Sequence, residues 1–267
     1  MKKTFKPLIL ILSSLGFLSF VTIVAYILIM GIPNIDLSIF AWEYNSENHS
    51  LLAPLFTTLV TIFITLLIGL PLGIFTAIYT SSYARSKRIV RLVSFTSEIL
   101  AAIPSIVYGL FGYLAFVIFL NMEFSIIAGC LTLMIMVLPT IIRTSQEAIA
   151  TVNTLQRDAS LALGASKLTT IFRIILPEAL PGILAGVFLS VGRIVGETAA
   201  LIYTMGTFVS MPLDITKSSR TLAVHMFTLS SEGLYVDKAY ATAVVLLIFV
   251  IAVNAASNKL ANKLIKE

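Results

Sequence analysis

The 267-residue chain is 58% hydrophobic and only 12% charged, with a formal net charge of +5. Soluble domains carry roughly 25% charged residues, so a 29.0 kDa chain with mean hydropathy +1.00 has too few polar side chains to cover a water-facing surface, and its composition belongs to the membrane class. One cysteine, Cys130, excludes an internal disulfide and a thiolate cluster; it reads as a small buried apolar side chain.

A bilayer-spanning helix needs about 20 mostly apolar residues, and six runs meet that length. The first, Pro7 to Ile35, follows Lys2, Lys3 and Lys6. A signal peptide's apolar core is only about 7–15 residues, so the run reads as a retained span over residues 8–30. The second, Leu51 to Ala84, carries Pro71 between Gly69 and Gly73, which predicts a kink. The third runs from Ile99 to Met122, with Glu98 at its cytoplasmic start, placed to snorkel or to pair with Arg91. The fourth is Phe124 to Ile142, with Arg143 at its exit. The fifth begins near Leu180 and continues through Arg193 and Glu197 to Met205; the sixth is Ala239 to Ser257.

Six spans place both termini on one side of the membrane. If that side is cytoplasmic, only Lys217, Arg220 and Lys238 of the 18 basic residues fall on outer segments, and Arg193 lies in a span. The outer loops are acidic, with Asp36, Glu43, Glu47, Glu123, Asp214, Glu232 and Asp237. This asymmetry follows the positive-inside rule. The basic excess is therefore a topology signal, with an attraction to anionic headgroups, rather than a nucleic-acid footprint. Arg220 and His225 read as solvated loop or docking surface. The chain contains no G-x-x-x-x-G-K-[ST] phosphate loop, metal-ligand cluster or local nucleophile–base pair. It is not expected to be an enzyme or to hold a cofactor, and any ATP hydrolysis belongs to another chain.

The cytoplasmic stretch after the fourth span reads RDASLALGASKLTTIFRIILPEALPG over residues 157–182. Its Ala and Leu residues favour helix, Gly164 permits a turn, and Pro177 closes the pattern, so a short helix, a turn and a second helix ending near Pro177 are expected. Leu161, Ala165, Leu168 and Phe172 recur at three- and four-residue intervals and are expected to share a face. Amphipathicity alone would equally suit a helix on the lipid surface. The spacing is more specific: the stretch resembles the EAA loop of ABC-importer permeases, E-A-A-x-x-x-G, nine residues, then I-x-L-P. The matching positions are Asp158, Ala159, Ser160, Gly164, Ile174, Leu176 and Pro177; Asp158 stands for the Glu and Ser160 for the second Ala.

Two further strings, AAIPSIVYGLFGYLA at 101–115 and GRIVGETAALIYT at 192–204, look like the third- and fifth-span signatures of PstA/PstC-type phosphate permeases, and the short outer loop favours the PstA-type member. The resemblance implies an all-α, six-span permease of the type I ABC importer fold in a prokaryotic inner membrane, with both termini cytoplasmic. It divides the chain into an N-terminal helix and outer loop over 1–50 and a five-helix core over 51–267, with the coupling loop at 153–178. It also implies a homologous PstC-type permease, a PstB-type ATPase dimer using ATP and Mg, and an external PstS-type phosphate-binding protein as partners. The seven EAA positions would then dock the ATPase.

Each charge at mid-membrane costs on the order of 2.5–3.5 kcal/mol. Arg193 and Glu197, four residues apart, can share a helical face and pair. Such a pair either locks helix packing or borders an anion path. The planar guanidinium suits phosphate because it donates two parallel hydrogen bonds, and a nearby carboxylate would keep the anion from being trapped. Arg193, Glu197, Thr198 and Tyr108 are the expected path residues, with Gly109 and Gly112 beside Tyr108. Gly182 with Gly186, and Gly192 with Gly196, are read as points of close helix approach.

Overall fold

The computed structural model describes residues 2–45 and 47–266. Among the described residues the chain is helical, with no strand. Its principal helices are α1 (Lys2–Gly31), α2 (Leu52–Ile78), α3 (Lys87–Ala102), α4 (Ser105–Gly112), α5 (Ile126–Thr151), α6 (Thr154–Ala162), α7 (Lys167–Thr170), α8 (Leu176–Gly196), α9 (Ala199–Thr204), α10 (Leu222–Glu232) and α11 (Val236–Lys266). Five helical stretches are long and apolar enough to cross a membrane. A sixth crossing exists only if α3 and the stretch Ser105–Phe119, bent by 102° from each other, count as one.

α2 runs through Pro71, and its buried side repeats every fourth residue: Ala53, Thr57, Thr61, Thr65, Gly69, Gly73 and Ala77. Small side chains let α5 approach closely. The threonine hydroxyls are satisfied without water: Thr57 and Thr61 donate to the carbonyls of Ala53 and Thr57, and Thr65 donates across to Cys130 O. α5 is the centre of the molecule, with Cys130, Leu133, Met136, Val137 and Ile141 in one cluster with Tyr108, Ile194, Leu201 and Met205. Gly182 and Gly186 bring α8 onto this helix: a Cβ at either would collide with Ala148 or Thr144. α1 is peripheral. It packs on α11, where Tyr26 meets Tyr240 edge-on, and is otherwise almost wholly exposed.

Several expectations need correction. The third span does not start at Ile99. Pro104 disfavours helix at the residue before it, Ile103 is extended, and residues 99–102 belong to α3. Glu98 is therefore exposed late in α3 and makes no ion pair with Arg91 among the described residues. α5 runs nine residues beyond Ile142, because hydropathy registers the apolar part of a helix and not its charged end; Arg143 there pairs with Glu147 at 3.1 Å on the surface. The helix after Gly164 does not stop at Pro177. It is continuous from Lys167 to Gly196. A proline lacks the N–H for an i−4 bond and crowds that carbonyl, and here a π-helical segment, Ile171–Ile175, precedes it and widens the turn.

Candidate functional site

Two places carry the residues singled out above. At the first, Asn153 accepts the N–H of Leu155 and starts α6, and Ser166 accepts the N–H of Thr169 and starts α7. Between them Gly164 sits at φ +84°, the left-handed conformation that ends a helix cheaply only at glycine. The short helix and the glycine turn were legible in the sequence. The shared apolar face was not: the turn separates Leu161 from Leu168 and Phe172, and the last two are exposed. Asp158, Ala159, Gly164 and Pro177 are exposed, and Ile174 and Leu176 are half-buried. Ser160 is buried, with its hydroxyl 2.9 Å from that of Thr170, and so clamps the two helices together. An open groove lies between them, lined by Gln156, Ala159, Leu163, Arg173, Ile174 and Pro177.

The second place is the end of α8. The helix stops at Gly196, and Glu197 is extended at φ −74°, ψ 131°. Its carboxylate accepts the backbone N–H of Thr198 at 3.2 Å and of Ala200 at 3.1 Å, so it caps the start of α9. The expected Arg193–Glu197 ion pair is absent, because the helix that would put them on one face ends between them. Each charge instead sits at the helix end suited to its sign, the guanidinium in the last turn of α8 and the carboxylate at the first turn of α9. Arg193 is half-buried and Glu197 is 8% exposed. Thr198, half-exposed, is the hinge residue between the two helices.

Gly192 and Gly196 flank Arg193 on the exposed side, and a Cβ at either would meet nothing within 4 Å. They do not serve close packing within this chain, as Gly182 and Gly186 do. Tyr108 lies deeper. It is 3% exposed, and its hydroxyl donates to Leu100 O at 2.7 Å, tying α4 to α3 across the Pro104 bend. Gly109 packs on Ala199, Ala200 and Tyr203, and Gly112 on Thr132 and Thr204. Irregular backbone at membrane depth is tolerated where it is buried in protein or lines a wet cavity. The break at 197–198 carries a cation and two bare glycines on its open side.

A third feature was misread in the sequence. Arg220 and His225 are not solvated: they are 5% and 0% exposed. Arg220 donates to Thr207 O and to the Tyr44 hydroxyl, both at 3.3 Å, and lies over the Tyr44 ring. The same hydroxyl meets His49 Nδ1 at 3.3 Å, and Tyr44 also packs edge-on to His225. Burial, with Arg220 and His49 nearby, pushes His225 down to about 3. The cluster joins the first outer loop to α10, whose Leu222 N–H is accepted by Thr58 on α2. The only sequence signal for it was basic and aromatic residues on loops that are otherwise acidic.

A family model described as binding-protein-dependent transport system inner membrane component matches residues 69–266. The probable ABC transporter permease protein YqgI of Bacillus subtilis (strain 168) is 33% identical over 200 residues, covering 69% of this chain and 68% of that protein. The phosphate transport system permease protein PstA 1 of Mycobacterium tuberculosis (strain ATCC 25618 / H37Rv) is 35% identical over 173 residues, 64% of this chain and 56% of the relative. Among solved structures, a bacterial alginate ABC transporter in complex with an alginate pentasaccharide-bound periplasmic protein superposes with a TM-score of 0.76 at 16% identity, over 99% of this chain and 96% of that one. The MetNI methionine ABC transporter, inward facing, gives 0.63 at 19% identity over 90% and 97%. The fold is that of ABC importer permeases, and the chain belongs to the binding-protein-dependent transport system inner membrane components, as a multi-pass inner-membrane permease.

Proposed function

We propose that this chain is one of two permease subunits of an ATP-driven importer that carries inorganic phosphate across the cytoplasmic membrane. The observation that carries the reading is Arg193: a guanidinium half-open inside a broken apolar span, without an ion pair among the described residues, in a chain whose relatives include named phosphate permeases. Arg193 borders the anion route with Thr198, and Glu197 holds the break open by capping α9. Gly192 and Gly196 face a homologous PstC-type permease across that route. Tyr108 contributes from behind, by fixing α4. Residues 1–50 form a peripheral helix and outer loop, and 51–267 the transport core, with both termini cytoplasmic.

The coupling loop, 153–178, is the dock for a PstB-type ATPase dimer. ATP and Mg are used there, and this chain holds no cofactor. Docking uses the exposed Asp158, Ala159, Gly164 and Pro177 with the half-buried Ile174 and Leu176, while Ser160 keeps the dock rigid. Because Lys167 to Gly196 is one helix of 30 residues, about 45 Å long, a displacement at the dock is carried along a single rod to the turn that holds Arg193. An external PstS-type protein delivers the anion.

The test is labelled-phosphate uptake at low external phosphate, in cells lacking the native subunit and supplied with this chain and its partners. Restored, ATP-dependent uptake that excess sulfate or molybdate does not suppress is the expected result. Uptake suppressed by sulfate better than by phosphate would reassign the cargo, and no restoration would overturn the reading.

A further inference from the structure

α3 is a long helix with no buried residue. It is not loose, because Pro104 sets the bend and Tyr108 bonds across it to Leu100. At 3.6 residues per turn it presents three faces. Val90, Val93, Ser97 and Leu100 are half-buried on the side that meets α5. Ile89, Leu92, Phe95 and Ile99 form a second stripe, 42%, 64%, 59% and 48% exposed. Lys87, Arg91 and Glu98 define a third side bordering that stripe; Arg88, one turn before Leu92, heads the stripe itself at its N-terminal end, and Arg85 lies just before the helix.

The depth of α3 follows from the element above it. The eight α-helical and seven π-helical residues of Ser105–Phe119 rise at most about 22 Å, against a hydrocarbon core of about 30 Å. A helix turned by 102° at the foot of that segment therefore runs along the membrane roughly 8 Å inside the far edge of the core. An interfacial amphipathic helix buries its apolar face by about 5–10 Å. Cations bordering such a stripe fit a charged lipid surface, and anionic headgroups complement Lys87, Arg88 and Arg91, which outnumber Glu98.

We infer that α3 is an interfacial helix of the cytoplasmic leaflet, with its Ile89–Leu92–Phe95–Ile99 stripe among acyl chains and Lys87, Arg88 and Arg91 on the phosphates of anionic lipid. The inference rests on the cytoplasmic orientation proposed above, and not on the cargo.

The test uses the assembled importer in vesicles of phosphatidylcholine with phosphatidylglycerol, carrying a fluorophore on Leu92→Cys or Phe95→Cys; Cys130, fully buried, stays unlabelled. Bromines are placed shallow or deep in the chains of one lipid or the other. Shallow bromines should quench both labels most, and brominated phosphatidylglycerol should quench more than brominated phosphatidylcholine, by at least about fivefold, the preference that about 1 kcal/mol from a single cation gives at a charged surface. Replacing Lys87, Arg88 and Arg91 together by Gln should remove that preference while quenching by phosphatidylcholine persists. Labels that no lipid quenches would mean that a protein subunit covers the stripe, and would overturn the inference. Strongest quenching by deep bromines, or equal quenching by both lipids, would overturn it as well. A cysteine at Ser86 reached by an impermeant maleimide only from outside would instead overturn the orientation, and the bromine depths would still place the helix.

Discussion

Arg193 and Arg220 are 27 positions apart in the same half of the chain and meet opposite surroundings. Arg220 is outside the spans yet 5% exposed; its guanidinium bonds to Thr207 O and the Tyr44 hydroxyl and rests on an aromatic ring. Arg193 is within an apolar span yet half-open, in a turn flanked by two uncovered glycines and without an ion pair among the described residues. A buried charge whose partners come from two distant parts of its own chain works for the fold. A charge held half-open at membrane depth, with no ion pair among the described residues, is available to a partner from outside the chain. What each side chain touches, rather than its distance from the bilayer, is the difference between the two.

The comparison is broken most directly at Arg220. Arg220→Ala removes the buried guanidinium and its hydrogen bonds to the Thr207 carbonyl and the Tyr44 hydroxyl, and a hydrogen bond from a charged group is worth about 1.5–3 kcal/mol. The measurement is the thermal midpoint and membrane abundance of the purified chain, both expected to fall. A variant as stable as wild type would mean that the buried guanidinium is not holding the outer cap.

Acid should produce a reversible form of the same loss. His225 is held near 3 against an unfolded value of about 6.5, so below about 6.5 the unfolded chain binds the proton that the fold refuses. Stability should fall as pH drops from there toward 3, and be flat above that window. The groups around His225 reinforce the sign: Arg220 and His49 oppose a new positive charge there, while Lys238 and Glu232 act on the neighbouring His49, the first against and the second for its protonation. His225→Leu should flatten the profile; an unchanged profile would locate the titration elsewhere.

At Glu197 the expected effect is smaller. Glu197→Ala removes the cap from α9, which typically costs about 1 kcal/mol, whereas Glu197→Gln keeps an acceptor and should retain most of that stability. Equal losses in both variants would point to the carboxylate charge rather than the cap.

How far these sites were legible in the sequence differs by kind of signal. Five of the six spans and the Gly164 turn follow from composition and local residue chemistry, which act over a few residues. The end of α5 at Thr151 did not register because Arg143 and Glu147 continue a helix that hydropathy has already left. The breaks at Pro104 and Glu197 were hidden for the opposite reason: apolar residues on both sides made a change of backbone direction look like one run. Pro177 misled because a π segment absorbed it. Burial of Arg220 and His225 depends on Tyr44 and His49, far away in sequence, and no local pattern joins them.

The central claim, that Arg193 serves transport and not folding, is tested by labelled-phosphate uptake in cells carrying wild type or Arg193→Gln beside the same partners, with the membrane abundance of both proteins measured in parallel. The account predicts a variant inserted as well as wild type, with stability within about 0.5 kcal/mol, and uptake reduced at least about tenfold, as for the loss of a single charged hydrogen bond worth about 1.5–3 kcal/mol. Equal uptake by the two proteins, or a variant that fails to accumulate, would contradict it and return Arg193 to the architecture.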